Sequence, residues 1–166
     1  VKAGNHYRIN GSKTFITNGQ SADLICLVAK TDKEQSARGV SLIMVETDGL
    51  EGFRRGRNLK KIGLKSQDTS ELFFDNVKVP QTHLLGTEEG QGFYQLMKQL
   101  PWERLYIGIT ALGSMDCALE ETTRYVQERK AFGQRVMDFQ NTRFKLAEIK
   151  TKIEVTRSFI NDAITR

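Results

Sequence analysis

The sequence predicts an α+β fold, in which a partial antiparallel β-barrel or sandwich precedes long helices of an incomplete bundle. Six or so short apolar runs, separated by Gly and Asn turns, occupy the first half. From about Gly90 the apolar residues recur at helical spacing instead. Strands followed by helices are typical of α+β proteins or of two domains. We place the two domains at residues 1–88 and 89–166.

The first strands are predicted on either side of tight turns. Residues 7–9 and 14–16 flank the Asn-Gly pair at 10–11, which suits a hairpin because both residues adopt positive φ. A second Asn-Gly pair at 18–19 supplies another turn. Residues 24–29 form a continuous apolar run, as expected of a strand that is buried on both faces.

The remaining strands follow a polar loop at residues 30–38. They are predicted at residues 40–46, 52–57, 60–64, 71–74 and 77–79. The last one ends at Pro80, which cannot donate a hydrogen bond to a neighbouring strand.

The helical half begins with apolar residues at steps of three and four. They are Phe93, Leu96, Met97, Leu100, Leu105, Ile109, Leu112, Leu119 and Val126. Pro101 lies within this pattern, so it either kinks one long helix or begins a second. Phe132-Gly133 marks a break, and a last helix is predicted from about Phe139. Two or three helices do not close a bundle, so we expect missing chain or another subunit to cover the apolar face.

Composition narrows the function classes. The chain has 166 residues and a net charge of +5. Of its residues, 39% are apolar and 27% are charged, and this composition excludes a disordered protein. No apolar run approaches the length of a membrane span, so membrane contact is not indicated. The basic run at residues 54–61 is interpreted as a solvated hairpin, because no stacking aromatics or nucleic-acid motif accompany it. Nucleic acid is therefore not an expected partner.

The cysteine and histidine residues do not indicate a metal site. Cys26 and Cys117 lie far apart in apolar surroundings, which is typical of reduced, buried thiols. His6 and His83 lie in polar segments without ligand spacing around them.

Three segments carry candidate chemistry. Residues 14–19 place an aromatic ring and a hydroxyl beside a turn, which suits a planar cofactor but equally a packed core. Glu103 lies between apolar residues on a helix and is either a general base or an exposed carboxylate beside Arg104. Tyr94 and Pro101 share a helical face with Arg104 that could line a groove.

The third segment joins the two helices. Arg129 offers a planar fork for a phosphate, Phe132 a stacking surface and Gln140 an amide. The alternative is a charged helix end followed by a glycine stop.

Taken together, these segments resemble the acyl-CoA dehydrogenases. The resemblance rests on INGSKTFITNG at 9–19, KIGLK at 61–65, DTSELFF at 68–74, VKVP at 77–80, GQGF at 90–93, ERKAFGQ at 128–134 and FQ at 139–140. It implies the second half of the middle β-domain and the first helices of an incomplete four-helix bundle. We therefore expect the chain to be a fragment, beginning after the family's N-terminal helical domain and ending before late flavin-contacting segments.

The resemblance implies FAD as the cofactor. Phe15, Ile16 and Thr17 would lie against the isoalloxazine ring. Many members carry Trp at the position of Phe15, and exchange for another aromatic keeps a stacking surface.

Arg129, Phe132 and Gln140 would, by the same resemblance, reach the pyrophosphate and adenine end of FAD bound mainly to the neighbouring subunit. The implied assembly is a homodimer or homotetramer formed through the helical domain.

The resemblance also assigns the substrate end. Tyr94, Pro101, Trp102, Glu103 and Arg104 would border the acyl-CoA thioester and its fatty chain. Most members carry the catalytic Glu later, whereas this Leu-Pro-Trp-Glu-Arg-Leu run is most similar to the long-chain type, which places the base here. Glu103 would remove the α-proton while the β-hydrogen leaves as hydride to flavin N5.

The implied activity is α,β-dehydrogenation of an acyl-CoA, with electrons passed to an electron-transfer flavoprotein. The expected location is the mitochondrial matrix in a eukaryote and the cytoplasm in a bacterium. Two alternatives stay open, namely an acyl-CoA oxidase or other flavin enzyme of the same fold, and a non-catalytic dimerisation fragment. We expect the isolated 166 residues to be nearly colourless, because most FAD contacts of the family lie in segments outside them.

Overall fold

The computed structural model describes residues 2–166, which form two compact units, residues 2–97 and residues 98–166. The strands of the first unit are β1 (Lys2–Ala3), β2 (His6–Thr17), β3 (Leu24–Lys30), β4 (Val40–Glu46), β5 (Phe53–Asn58) and β6 (Thr69–Pro80). Short 3₁₀ turns lie at Ala37–Gly39 and Gln81–His83.

The strands form two antiparallel sheets. One sheet has the order β1-β2-β6-β5 and the other pairs β3 with β4. Their inward residues share one core: Tyr7, Ile9, Leu27, Ile43, Val45, Leu72, Phe74, Val77 and Val79. Over residues 2–166 both sheets are open, so the strands make a partial sandwich and not a closed barrel.

The hairpin predicted at residues 10–11 is wrong, because β2 runs unbroken from His6 to Thr17. β2 pairs with β6 along its length, with register shifts between Ile9 and Gly11 and between Lys13 and Ile16. Long-range pairing with β6 therefore holds the Asn-Gly pair within a strand, opposite an extra residue of β6 between Phe74 and Val77, although the local preference of the pair is for a turn.

β6 also joins two predicted runs into one strand. Residues 71–74 and 77–79 both belong to it, and Asn76, with φ of 52°, lies at the register shift between the two paired stretches. The predicted strand at 60–64 is wrong. Gly63 and Leu64 have positive φ there, which interrupts an extended strand.

β3 is not buried on both faces as predicted. Only Leu27 of this strand is buried, because β3 pairs with β4 alone and its other face points away from the core. Cys26 lies on that outward face, and both Cys26 and Cys117 are exposed, which contradicts the expectation of buried thiols.

The second unit is a helical hairpin. Helix α1 (Gly92–Glu128) begins within the first unit and continues through Pro101, so the proline does not begin a second helix. The connection contains β7 (Lys130–Ala131), β8 (Gln134–Arg135) and a 3₁₀ turn at Val136–Asp138, and it leads into α2 (Gln140–Thr165).

The two helices pack through a small core. Leu112 of α1 meets Ile153 and Ile160 of α2, with Leu105 and Leu119 at its edge. No helix within residues 2–166 is long and apolar enough to cross a membrane.

Candidate active site

The first predicted site segment lies at the end of β2. Ile16 pairs with Ser70 and Thr17 with Thr69 of β6, which fixes the backbone on one side. Phe15 lies in the irregularity just before them, with φ of 59°, and its ring is 76% exposed. An aromatic residue in the left-handed region is strained, and such strain clusters at ligand-binding positions. The ring therefore stands free beside a well-anchored strand end.

The turn after this segment is held by Asp68. Its Oδ2 accepts a hydrogen bond from the Gln20 amide at 2.7 Å, and its Oδ1 accepts one from Ser21 Oγ at 3.2 Å. Its carbonyl oxygen accepts the Asn18 amide at 3.2 Å. Gln67 Nε2 donates to Asn18 Oδ1 at 2.5 Å. Residue patterns in the sequence did not single out Asp68, although it is the first residue of the DTSELFF motif at 68–74 on which the family resemblance rests.

Arg55 supports the same turn from β5. Its Nε donates to the Gly19 carbonyl at 3.1 Å, and its Nη2 donates to the Ala22 carbonyl at 2.8 Å and to Thr47 Oγ1 at 3.0 Å. The interpretation of its basic run as a solvated hairpin is therefore wrong for Arg55, which is half-buried on backbone oxygens. A charge count does not distinguish such an arginine from a solvated one.

Glu103 lies on α1, at the edge of an apolar groove of about 600 Å³. The groove is lined by Trp102, Glu103, Leu105, Tyr106, Ile107, Ile109 and Ile164. Within residues 2–166 the Glu103 carboxylate makes no hydrogen bond or ion pair, not even with its neighbour Arg104. The structure thus presents an unneutralised carboxylate beside an apolar surface.

The other predicted substrate residues lie on the same helix. Pro101 and Arg104 are exposed. Tyr94, near the start of α1, is 47% exposed and contacts Phe93 edge-to-face at 5.9 Å between ring centroids. Their helical spacing leaves all three side chains accessible to a ligand.

The connection between α1 and α2 carries the last predicted group. Phe132 has φ of 51°, is 96% exposed and contacts Phe139 edge-to-face at 6.4 Å. Gln140 is the first residue of α2. The backbone of Arg129 is fixed, since its amide donates to Tyr125 O at 2.8 Å.

The two arginines of this connection differ. Arg135 forms a two-pronged hydrogen bond to Asp138, at 3.1 and 3.0 Å, which lowers the pKa of that carboxyl. The side chain of Arg129 has no such partner in the described part of the chain. Its guanidinium is therefore available for an anionic group.

Phe15 and Phe132 thus share an uncommon combination of positive φ and an exposed ring. A bulky residue in this conformation is a genuine outlier, and both outliers fall on positions selected from sequence as stacking surfaces. Exposed aromatic rings are surfaces on which a large planar cofactor can stack, so these two residues fit such a group.

The fold and the candidate site together are those of a two-part flavoenzyme architecture. Antiparallel sheets are followed by long helices, and one of these helices carries the Glu103 carboxylate beside an apolar groove. The chain belongs to the acyl-CoA dehydrogenase family. Residues 1–77 match "Acyl-CoA dehydrogenase, middle domain" and residues 90–166 match "Acyl-CoA dehydrogenase, C-terminal domain".

Individual relatives sharpen this assignment. The chain is 50% identical over 165 residues to the mitochondrial long-chain specific acyl-CoA dehydrogenase of Sus scrofa, covering 98% of the chain and 38% of that protein. The crystal structure of an acyl-CoA dehydrogenase from Geobacillus kaustophilus is 49% identical in sequence and superimposes with a TM-score of 0.95. The match covers 99% of this chain and 43% of the Geobacillus chain. The prolyl acyl carrier protein oxidase AnaB is 33% identical, with a TM-score of 0.90 over 98% and 42%. The chain thus spans well under half the length of these relatives.

Proposed function

We propose that the chain forms part of an FAD-dependent acyl-CoA dehydrogenase that converts an acyl-CoA thioester to the trans-2-enoyl-CoA. The observation that carries the proposal is the unpaired Glu103 carboxylate beside an apolar groove, in a chain of this family. The 50% identity to a long-chain enzyme supports a long-chain substrate and a place in fatty-acid β-oxidation. The proposal also places the middle domain at residues 1–88 and the C-terminal domain at 89–166.

In this proposal Glu103 is the general base. Its carboxylate accepts the α-proton of the acyl thioester on one of its oxygens, and it is free to do so because no cation or donor of residues 2–166 occupies it. An acyl chain bound along the apolar groove would displace water from it, which would keep solvent away from the reacting carbon.

The flavin end is assigned to residues that fit it. Phe15 would stack on the isoalloxazine ring, while Ile16 and Thr17, fixed by pairing with β6, would border it. FAD, when bound, supplies the acceptor for the hydride that leaves the β-carbon. The role of these three residues is to hold and orient that acceptor.

The other end of FAD is assigned to the α1–α2 connection. Arg129 would pair with the pyrophosphate, Phe132 would pack on the adenine side and Gln140 would hydrogen-bond there. Support comes from the free guanidinium, the exposed ring and its strained backbone. We infer that these residues serve the FAD of a neighbouring subunit in a homo-oligomer formed through the helical domain.

The acyl-CoA is assigned to α1. Tyr94, Pro101, Trp102 and Arg104 would border the thioester and the start of the acyl chain. Trp102 lines the groove beside Glu103, and the other three are accessible on the same helix.

The test is Glu103→Gln in the full-length enzyme. Removal of a general base is expected to lower the dehydrogenation rate by about 10²- to 10⁴-fold with FAD still bound. Glu120→Gln, which removes an exposed carboxylate from the same helix, is the matched control and should leave the rate unchanged. Near-normal turnover of Glu103→Gln would show that the base lies elsewhere.

We further infer that an electron-transfer flavoprotein accepts the electrons and that the protein works in the mitochondrial matrix, or in the cytoplasm of a bacterium. Family membership supports the partner, and the mitochondrial pig relative supports the location in a eukaryote.

A second candidate function is that of an oxidase, which is supported by the similarity to the prolyl acyl carrier protein oxidase AnaB. Stopped-flow exposure of the reduced full-length enzyme to air separates the two activities. Slow reoxidation is expected of a dehydrogenase, whereas rapid reoxidation would identify an oxidase. A full-length protein without flavin absorbance would instead indicate a non-catalytic dimerisation role.

A further inference from the structure

We propose that Asp68 is a positioning residue that fixes the flavin-facing segment Phe15–Thr17 by clamping the turn that follows it. This inference rests on the proposed function, since it concerns the same flavin site. Asp68 does not contact the cofactor itself in this proposal. It acts through the backbone of residues 18–21.

The first step is the strain at Phe15. A positive φ at a phenylalanine persists only where the surrounding structure determines it on both sides. On one side β2 is paired with β6 up to Lys13, and on the other Ile16 and Thr17 are paired again. The orientation of the exposed ring therefore depends on how firmly this second paired stretch is held.

The second step is the hold itself. β2 ends at Thr17, and the next four residues leave the sheet in a tight turn, with the Ala22 amide donating to Asn18 O at 2.7 Å. Asp68 bonds this turn three times, through both carboxylate oxygens and its carbonyl, to Gln20, Ser21 and Asn18. Asp68 also precedes Thr69, the partner of Thr17, so the clamp is continuous with the strand pairing.

The third step is that other contacts already hold the turn to the unit as a whole. Arg55 binds the Gly19 and Ala22 carbonyls, and the Gln20 side chain donates to Gly56 O at 2.8 Å and to Ser70 Oγ at 2.9 Å. Loss of the Asp68 carboxylate should therefore loosen the orientation of the turn without unfolding the sheet. This separates a positioning role from a purely structural one.

The experiment compares full-length Asp68→Ala and Asp68→Asn with wild type. FAD affinity, the visible absorbance and circular dichroism of bound flavin, and the melting temperature of the apoprotein are measured. Asp68→Ala is expected to raise the FAD dissociation constant about tenfold, as for lost charge-assisted hydrogen bonds, and to change the flavin spectrum. Asp68→Asn should fall between, because its amide keeps one acceptor oxygen. The apoprotein melting temperature should stay within roughly 2 °C of wild type.

Asp48→Asn is the charge-matched control, an exposed carboxylate of the same unit without such contacts, and should behave as wild type. Wild-type FAD affinity and spectrum in Asp68→Ala would overturn the proposal. The proposal would also be overturned if Asp68→Ala lost FAD affinity only together with a lower melting temperature of the apoprotein, since the role of Asp68 would then be structural. A wild-type enzyme that holds no FAD would overturn the proposed function itself, so the two failures are distinguishable.

Discussion

The sheet unit and the helical unit are stabilised in different ways. Nine buried residues from both sheets form the core of the sheet unit, whereas three buried residues join the two helices. The helices leave large side chains in solvent, with Trp102 at 65%, Tyr106 at 70% and Phe159 at 70% exposure. The sheet unit therefore contains most of its own stabilisation, while the stability of the helical unit depends on what covers its apolar faces.

The same difference separates the two parts of the candidate site. Phe15 belongs to a segment that is paired with a neighbouring strand and clamped by Asp68 and Arg55. Glu103 lies on helix α1, and its carboxylate has no hydrogen-bond or ion-pair partner among the described residues. A cofactor platform benefits from rigid support, whereas a base must keep its carboxylate free to accept a proton.

The largest expected effect comes from matched truncations in the two cores. Leu72→Ala in the sheet unit should lower the free energy of unfolding by about 4 kcal/mol, because Leu72 is fully buried among close-packed neighbours. Leu112→Ala in the helical unit should cost about 2 kcal/mol, since its small core can collapse more easily. Urea unfolding followed by hydrogen exchange assigns each loss to its unit. Equal losses would contradict the contrast between the two cores.

The next largest effect is a difference of sign between two glycines. Gly90 has φ of +81°, and a Cβ there would lie 2.2 Å from the Arg38 carbonyl oxygen, so Gly90→Ala should destabilise the sheet unit by about 2 kcal/mol or more. Gly113 lies inside α1 with open space around its Cα, so Gly113→Ala should stabilise the helical unit by about 0.5–1 kcal/mol. Thermal melts of both variants measure this, and a stabilising Gly90→Ala would refute the steric account.

The elements governed by local patterns were predictable from the sequence. The run at residues 40–46 coincides with β4, and helices predicted from about residues 90 and 139 begin at Gly92 and Gln140. A continuous apolar run is enough to predict β4, and apolar residues at helical spacing are enough to predict the two helices, because both signals are local.

Long-range pairing and side-chain clamps were not predictable in this way. The Asn-Gly pair at 10–11 has the local signature of a hairpin, and only its pairing with the distant β6 makes it part of a strand. The roles of Arg55 and Asp68 depend on carbonyl and amide groups more than thirty residues away in sequence. Neither charge nor spacing in a single sequence encodes such contacts. Residue patterns made Phe15, Glu103 and Phe132 candidates but left structural alternatives open, family resemblance supplied their roles, and those roles remain predictions.

A smaller effect should appear at alkaline pH and only in the sheet unit. Tyr7 is buried and its hydroxyl donates to Glu89 at 2.9 Å, and burial together with this carboxylate raises its pKa to about 12. The unfolded state releases the Tyr7 proton first, so this contribution is intact below about pH 10 and is lost as pH rises toward 12.

Stability at pH 11 should therefore be about 1 kcal/mol lower on account of Tyr7, and Tyr7→Phe should remove that part of the alkaline loss. Urea midpoints between pH 8 and 11 measure it, with Tyr125→Phe in the helical unit as the exposed control. Identical alkaline slopes in wild type and Tyr7→Phe would show that Tyr7 does not titrate differently on folding.

The smallest expected effect concerns the ion pair that links the two helices. Arg157 Nη2 lies 2.6 Å from Asp116 Oδ1, and Arg157 also bonds Glu154 of its own helix at 3.3 Å. Both side chains are more than a third exposed, so solvent screens the ion pair. A double-mutant cycle of Asp116→Asn and Arg157→Met should therefore give a coupling free energy of about 0.5–1 kcal/mol, and this coupling should fall with added salt. A coupling well above this, and insensitive to salt, would mean that electrostatics compensate for the small helical core. The contrast between the two units would then lie in the kind of stabilisation and not in its amount.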